Sequence, residues 1–256
     1  MHKSKEKKSQ LTATNYKKAI LSADSPFAVK EAYNATRTKL LFMGKGEKCP
    51  VFAVTSSLPG DGKTTNAVNL AVSIALADQR VLLIDADMRK PTLHRYFGME
   101  CKNGLSQILA GLTSEINLVN TEYPGLFVLT AGIIPPNPAE LLSSPQFEKL
   151  MKYVREYFDV IIIDTPPINI VTDAAVIAEN VTGYIMVVQS GKSHIDEVTE
   201  ALRHINETEG TVVGFMLNDP NDKSDTQYHN GYYKKYGQGY YGYSDKPTEK
   251  DEVPRK

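Results

Sequence analysis

Short, unbroken apolar runs alternate along this chain with longer stretches in which apolar residues recur every three or four positions. "VFAVTS" (51–56), "RVLLIDAD" (80–87), "LFVLTAG" (126–132), "DVIIIDTP" (159–166), "GYIMVVQS" (183–190) and "TVVGFMLN" (211–218) read as strands. They are continuous rather than alternating, as strands covered on both faces should be. Between them, 63–78, 145–158, 173–180 and 194–209 carry helical spacing. Upstream, "SPFAVKEAYNATRTKLLFM" (25–43) predicts a helix with Ser25 as N-cap and Pro26 at the first helical position. Strand–helix alternation of this kind predicts an α/β fold, a mainly parallel sheet flanked by helices. The pattern stops near Asp219, and no internal repeat is visible. The chain therefore divides into an arm (1–24), an α/β domain (25–218) and a tail (219–256).

Composition changes this picture only at the ends. At 256 residues there is room for one full core, and a net charge of −1 gives no reason to expect a nucleic-acid partner. The first eighteen residues hold six lysines against one glutamate. Such an arm reads first as a solvated, flexible terminus. The sharper reading is weak attraction to an anionic membrane, roughly 1 kcal/mol per lysine. No run approaches the ~18 apolar residues of a membrane span. The basic start has no apolar stretch behind it, so it is not a secretory signal. Cys49 and Cys101 match no metal spacing, and a reduced, cytoplasmic protein fits best.

The tail has its own oddity. "YHNGYYKKYGQGYYGY" (228–243) holds seven of the chain's fourteen tyrosines, interleaved with Gly, Lys, Asn, His and Gln. With so little aliphatic area to offset the entropy of ordering glycine-rich chain, the segment is expected to be flexible and its phenols exposed. They form a surface to be acted upon or recognised.

The first strand runs straight into "SSLPGDGKTT" (56–65), with a helix at once behind it. Pro59 to Thr65 would form a phosphate loop. Gly60 and Gly62 allow the backbone to curl with its N–H groups inward around an anion, Asp61 lying between them. Lys63 would reach the β- and γ-phosphates of a nucleotide, and the Thr64 hydroxyl would ligate Mg²⁺. The usual pattern begins with Gly where this chain has Ser57. Metal chemistry also needs carboxylates, and the C-terminal ends of parallel strands converge along one edge of the sheet. Asp85 and Asp87 end one strand and Asp164 another. An aspartate behind four apolar residues is costly unless a cation compensates it, as Mg²⁺ would for Asp164. Period two puts Asp85 and Asp87 on one side of their strand, one toward the metal and the other toward a nucleophile.

"LPGDGKTT", "LLIDADMRKP" and "VIIIDTPP", followed by a tyrosine-rich tail, closely resemble the bacterial tyrosine kinases of capsular and exopolysaccharide synthesis. The resemblance covers roughly residues 25 to 243 and includes "GIIPPNPAELLSSPQF" (132–147). It implies a P-loop fold of the partitioning-ATPase type and an ATP- and Mg²⁺-dependent kinase. That kinase would phosphorylate its own tail between subunits and so regulate polysaccharide synthesis and export. Within the family's D-x-D-x-R motif, Asp85, Asp87 and Arg89 match; Asp87 and Asp164 would serve the metal and Asp85 the tyrosine hydroxyl, or Asp85 and Asp87 the reverse. Asn218 resembles the superfamily's adenine-contacting asparagine. Tyr228, Tyr232, Tyr233, Tyr236, Tyr240, Tyr241 and Tyr243 would be the acceptors.

The resemblance further implies partners. One is a membrane-embedded adaptor whose cytoplasmic tail activates the kinase and holds it at the inner face of the membrane. Another is a phosphotyrosine phosphatase, and a third is a ring of copies. The family's ring helix carries E-x-x-R-x-x-R, matched here by Glu31 and Arg37, with Asn34 in place of the middle arginine. The rival reading is a partitioning or division-site ATPase without kinase activity. Such proteins carry a lysine where this chain has Leu58, and they lack the tyrosine tail. An iron–sulfur carrier of the same superfamily would need a C-x-x-C pair that this chain does not have.

Overall fold

The computed structural model describes residues 15–218. Six parallel strands form where the apolar runs fall: β1 (Val51–Ser56), β2 (Val81–Asp85), β4 (Leu126–Leu129), β5 (Val160–Asp164), β6 (Gly183–Gln189) and β7 (Val212–Asn218). A two-residue strand, β3 (Val119–Asn120), adds an antiparallel edge. The order is β3-β4-β2-β5-β1-β6-β7. The strand ahead of the glycine loop and the two that end in aspartate are thus consecutive neighbours. Asp85 of β2 and Asp164 of β5 share one register position.

The continuous apolar runs are explained by what covers them. In β1, Val51 and Ala53 point into one core while Phe52 and Val54 point into the other; β2 and β5 divide in the same way. One core is closed by Phe147, Leu150, Met151 and Val154 of α6 (Pro145–Val154) and by Ala201 and Ile205 of α7 (Ile195–Glu207). The other is closed by α2 (Lys63–Ala75), whose Val68, Leu70, Val72 and Ile74 are all fully buried. At about 25 cal/mol per Å² of apolar surface, each such side chain contributes about 1.5–3 kcal/mol. The sheet therefore holds the loop ends rigidly. Short helices α3 (Leu93–Tyr96), α4 (Leu105–Leu109) and α5 (Pro138–Leu142) fill the connections after β2 and β4.

Some expectations need correction. The first long helix, α1, spans Phe27–Met43 with Pro26, not Ser25, in the capping place. The Ser25 hydroxyl is engaged instead by the Ser22 N–H at 3.0 Å. The stretch 173–180 lies in a 3₁₀ helix, Thr172–Asn180. There the Tyr184 hydroxyl takes the Ala174 carbonyl at 2.7 Å, an acceptor that an α-helix would give to residue 178. The expected flexible arm, 1–24, is folded in its second half. Residues 1–14 lie outside the described residues, but Ile20 and Leu21 are buried against α2. Asn69 fastens both flanks, accepting from Leu21 N–H at 2.7 Å and donating to the Ala19 carbonyl at 3.0 Å. The tail, with its seven tyrosines, lies outside the described residues.

Candidate active site

The loop from Pro59 to Lys63 turns back on itself through two positive-φ glycines, Gly60 (φ 85°) and Gly62 (φ 93°). A Cβ on Gly62 would lie 2.2 Å from Asn218 Nδ2, so only glycine satisfies both the backbone angle and the close approach. The Asp61 side chain is turned inward as a brace, almost wholly buried. It accepts from Ser57 Oγ and Leu58 N–H at 3.4 Å and pairs with Lys192 at 3.1 Å. Lys192 also donates to the Pro59 carbonyl at 2.8 Å, and Asn218 Nδ2 to the Asp61 carbonyl at 2.9 Å. The resemblance gives Asn218 an adenine contact; its side-chain amide is seen here on the loop backbone, and Lys192 is a residue that the sequence reading did not single out. The signal for Lys192 was a Gly-Lys pair one residue past the end of β6, on the same sheet edge as the loop.

Lys63, the first residue of α2, lies between two carboxylates. Its ammonium is 2.8 Å from Asp87 Oδ2 and 3.7 Å from Asp164 Oδ1. Burial works against that charge, but Asp164 and Asp87 outweigh it and hold the Lys63 pKa above its ordinary value. Asp164 is fully buried, and neither of its oxygens has a hydrogen-bond partner. Burial pushes its pKa up, opposed by the Lys63 charge. Asp85 is likewise sealed. Its Oδ2 accepts from Leu93 N–H at 3.1 Å, and its Oδ1 has no partner. Burial, reinforced by the Asp164 charge, drives its pKa well above the usual carboxylate range.

Asp87 differs from both. It lines the open cavity, and its Oδ1 fixes the Lys90 N–H at 3.0 Å. Asp85 and Asp87 therefore do not present equivalent side chains. The backbone leaves strand geometry after Asp85, and the expectation that both face the reacting space fails there. Arg89 makes a bidentate pair with the buried Asp173, at 2.9 and 2.8 Å.

The cavity in front of these groups measures about 430 Å³ and is lined by Gly60, Gly62, Lys63, Thr64, Thr65 and Asp87, among others. Tyr16 and Tyr96 stand at its side, their rings edge to face at 5.0 Å, with the Tyr96 hydroxyl 2.7 Å from Thr65 Oγ1. Nothing in the sequence pattern marked Tyr16, because its role comes from an arm that folds back. Among the described residues, no group of three or more His, Cys, Asp or Glu side chains could hold a metal. The few oxygen donors beside Lys63, from Asp87, Asp164 and Thr64, suit Mg²⁺, which keeps several waters and takes the rest from one or two carboxylates and phosphate oxygens. The unpartnered oxygens of Asp164 fit this role, with Thr64 beside them.

A file of hydrogen bonds runs from the loop along the α1–α2 contact. Asn66 Nδ2 donates to the Gly62 carbonyl at 3.0 Å, and the Tyr33 hydroxyl donates to Asn66 Oδ1 at 2.9 Å. Asn69 reaches the Tyr33 oxygen at 3.4 Å. Farther along, Arg37 donates to the Ser73 carbonyl at 2.8 Å, Ser73 Oγ to Asn34 Oδ1 at 3.3 Å and Asn34 Nδ2 to Glu31 at 2.9 Å. Glu31, Asn34 and Arg37 are thus half-buried and engaged within the subunit.

A family model described as an AAA domain matches residues 50–213. The putative tyrosine-protein kinase CapB of Staphylococcus aureus is 36% identical over 203 residues, which are 78% of this chain and 89% of CapB. The chain belongs to the bacterial tyrosine kinases of capsule and exopolysaccharide biosynthesis. This kinase is also 38% identical over 229 residues to the putative tyrosine-protein kinase EpsB of Ralstonia nicotianae, covering 87% of itself but only 30% of EpsB's length. Among solved structures, the chimerical protein CapA2B2 superposes on the kinase with a TM-score of 0.71 at 37% identity, covering 76% of this chain and 85% of that one. The septum site-determining protein MinD of Pyrococcus horikoshii, complexed with Mg-ADP, matches at a TM-score of 0.57 and 20% identity, over 69% and 76% of the two chains. That last likeness is one of fold, and it bears out the P-loop architecture of the partitioning-ATPase type.

Proposed function

We propose that this chain transfers the γ-phosphoryl group of ATP to tyrosine hydroxyls, chiefly those of the 228–243 cluster of a neighbouring copy. Through that reaction it regulates the synthesis and export of a capsular or extracellular polysaccharide. The observation that carries this reading is the Lys63 ammonium held between Asp87 and Asp164 at the mouth of a glycine-turned loop. A cation so placed follows charge onto the transferring group, and inward N–H groups of the loop receive the β-phosphate. Mg²⁺, when bound, would neutralise phosphate charge from a place beside Asp164 and Thr64. Asp87 is the carboxylate that opens on the cavity, so it is the one to orient the tyrosine hydroxyl and accept its proton. Asp85 acts from behind, holding the start of α3 through Leu93. Arg89, spent on Asp173, fixes the segment after β2. Asn218 and Lys192 hold the loop, and an adenine ring would lie near Asn218.

An adaptor partner whose cytoplasmic segment activates the kinase at the membrane is part of this proposal. Such a partner would supply the attachment; among the described residues no helix is long and apolar enough to cross a membrane. Replacing Lys63 with Met tests the mechanism. Tail phosphorylation, read by mass spectrometry with ATP and Mg²⁺, is expected to fall by ~10²-fold or more, while the far-ultraviolet circular dichroism stays unchanged. Labelling of the tail by the Met variant at the wild-type rate would refute the loop chemistry.

A further inference from the structure

Two carboxylates of the nucleotide site share the Lys63 ammonium, and another, Asp61, belongs to the phosphate loop itself. The residue falls between Gly60 and Gly62, and its side chain is 1% exposed. A buried negative charge in that place opposes the anion the loop is curled to hold, and does so more strongly out of contact with water. Ser57 Oγ and the Leu58 N–H reach it only at 3.4 Å, long for hydrogen bonds to a charged group. Among the described residues its one ion-pair partner is Lys192, at 3.1 Å.

The turn that carries Lys192 is fixed from several sides. β6 ends at Gln189, and the N–H groups of Lys192 and Ser193 both donate back to the Gln189 carbonyl, at 3.2 and 3.0 Å. Ser193 Oγ accepts from the Gln189 N–H at 2.9 Å. Gly191 bends the chain with a φ of 69°, an angle at which a side chain would be strained. The Ser190 N–H donates to the Asn218 carbonyl at 2.9 Å, and Asn218 Nδ2 donates in turn to the Asp61 carbonyl. The ammonium is seated against the loop by the Pro59 carbonyl at 2.8 Å, so closely that a Cβ on Gly60 would lie 2.9 Å from Nζ.

We infer that Lys192 is a positioning residue for the phosphoryl donor, acting through Asp61. Its charge cancels that of the buried carboxylate, so the loop offers its N–H groups to the phosphates without a neighbouring anion to repel them. Without Lys192 the carboxylate either stays charged and uncompensated behind the phosphates or draws water in by opening the loop. Both weaken the hold on phosphate. A purely mechanical prop, the Pro59 bond keeping the loop in shape, differs in one respect. A prop is needed whatever stands at position 61; a neutralising charge is needed only opposite the carboxylate.

This inference deepens the kinase reading and rests on it for the identity of the anion. ADP with Mg²⁺ is titrated calorimetrically into the full chain and its Lys192→Met, Lys192→Arg, Asp61→Asn and Asp61→Asn/Lys192→Met variants. Lys192→Met is expected to weaken ADP binding about ten- to a hundredfold, as for a lost bond to a buried charge, and Lys192→Arg to keep most of the affinity. On the Asp61→Asn chain the same Lys192→Met change is expected to shift affinity by less than about twofold. In the kinase reaction the Lys192→Met loss should fall more on the KM for ATP than on kcat, because a charge behind the loop bears alike on bound and transferring phosphate. Wild-type affinity in Lys192→Met, or an equal loss with and without Asp61→Asn, would overturn the assignment. Should Lys192→Met alone fail to fold, Asp61→Asn and the double variant decide it, and a difference of about tenfold between them would overturn it as well. A wild type that binds no ADP would instead refute the phosphate-loop reading, and with it the anion assigned here.

Discussion

Asp85 sits at the end of β2 with no exposure and one carboxylate oxygen unpaired. Its raised pKa sets the sign of a stability effect. The folded chain holds this proton more tightly than the unfolded chain, whose carboxylates titrate near ~4. Stability is therefore undiminished below that pH and is lost as pH rises from there toward the folded-state pKa. Asparagine keeps the acceptor for Leu93 N–H and carries no such loss. Asp85→Asn is expected to raise the Tm of the nucleotide-free chain, and by more at pH 8 than at pH 5. The gain should be on the order of 1 kcal/mol, about 2–4 °C for a chain of this size. A lower Tm, or the same gain at both pH values, would show that the carboxyl is not held neutral. Nucleotide affinity is expected to survive this change better than it survives Asp164→Asn, because Asp164 faces the Lys63 ammonium at 3.7 Å while the bond that Asp85 accepts comes from the Leu93 N–H behind it.

Among the elements, the contact between α1 and α2 joins parts that the chain keeps far apart. Tyr33 is the middle member of a hydrogen-bonded file that ends on the Gly62 carbonyl, and burial raises the pKa of its phenol. Tyr33→Phe leaves the ring packed and removes the donor. The expected result is a loss of nucleotide affinity of about three- to tenfold, the worth of one buried hydrogen bond, with thermal stability lowered by about 1 kcal/mol. Calorimetric titration with ATP would check it, and unchanged affinity would confine Tyr33 to packing. The six parallel strands and the glycine loop were legible in the sequence, because continuous apolar runs and a fixed motif announce them locally. What escaped was decided by distant partners. The Ser25 cap lost its hydroxyl to Ser22, Ala174 gave its carbonyl to Tyr184, and the two-residue β3 has no pattern until β4 is beside it. The carboxylates were legible as a set, yet their division was not, since only the departure from strand geometry after Asp85 separates the sealed side chain from the open one.

For the whole molecule the question is how one copy meets another. Glu31, Asn34 and Arg37 bond within their own subunit, so a ring contact through α1 would use groups already half-satisfied. Each phosphate added to the tail brings about −1.5 to −2 charges. Several within sixteen residues would repel one another, and copies associated through their tails are expected to part. Changing all seven tail tyrosines to Phe keeps the aromatic surface and removes every acceptor. That variant is expected to stay associated with ATP and Mg²⁺ present, and to phosphorylate a Lys63→Met partner supplied in excess. Light scattering that finds a monomer in every state would reject the assembly while leaving the chemistry intact. Failure to label the Met partner would reject transfer between copies.

Tyr16 stands edge to face with Tyr96 at the nucleotide cavity, and the Arg95 guanidinium of α3 lies over its ring at 6.0 Å. One ring, contributed by the N-terminal segment, is thus a side wall of the nucleotide cavity. A wall in that place decides what shares the phosphate with the acceptor. With it standing, that flank of the cavity is closed by an aromatic ring; with it removed, bulk water has a door there. Tyr16→Ala should leave the phosphate loop whole and yet turn part of the kinase's turnover into idle hydrolysis, seen as more free phosphate released per phosphotyrosine formed.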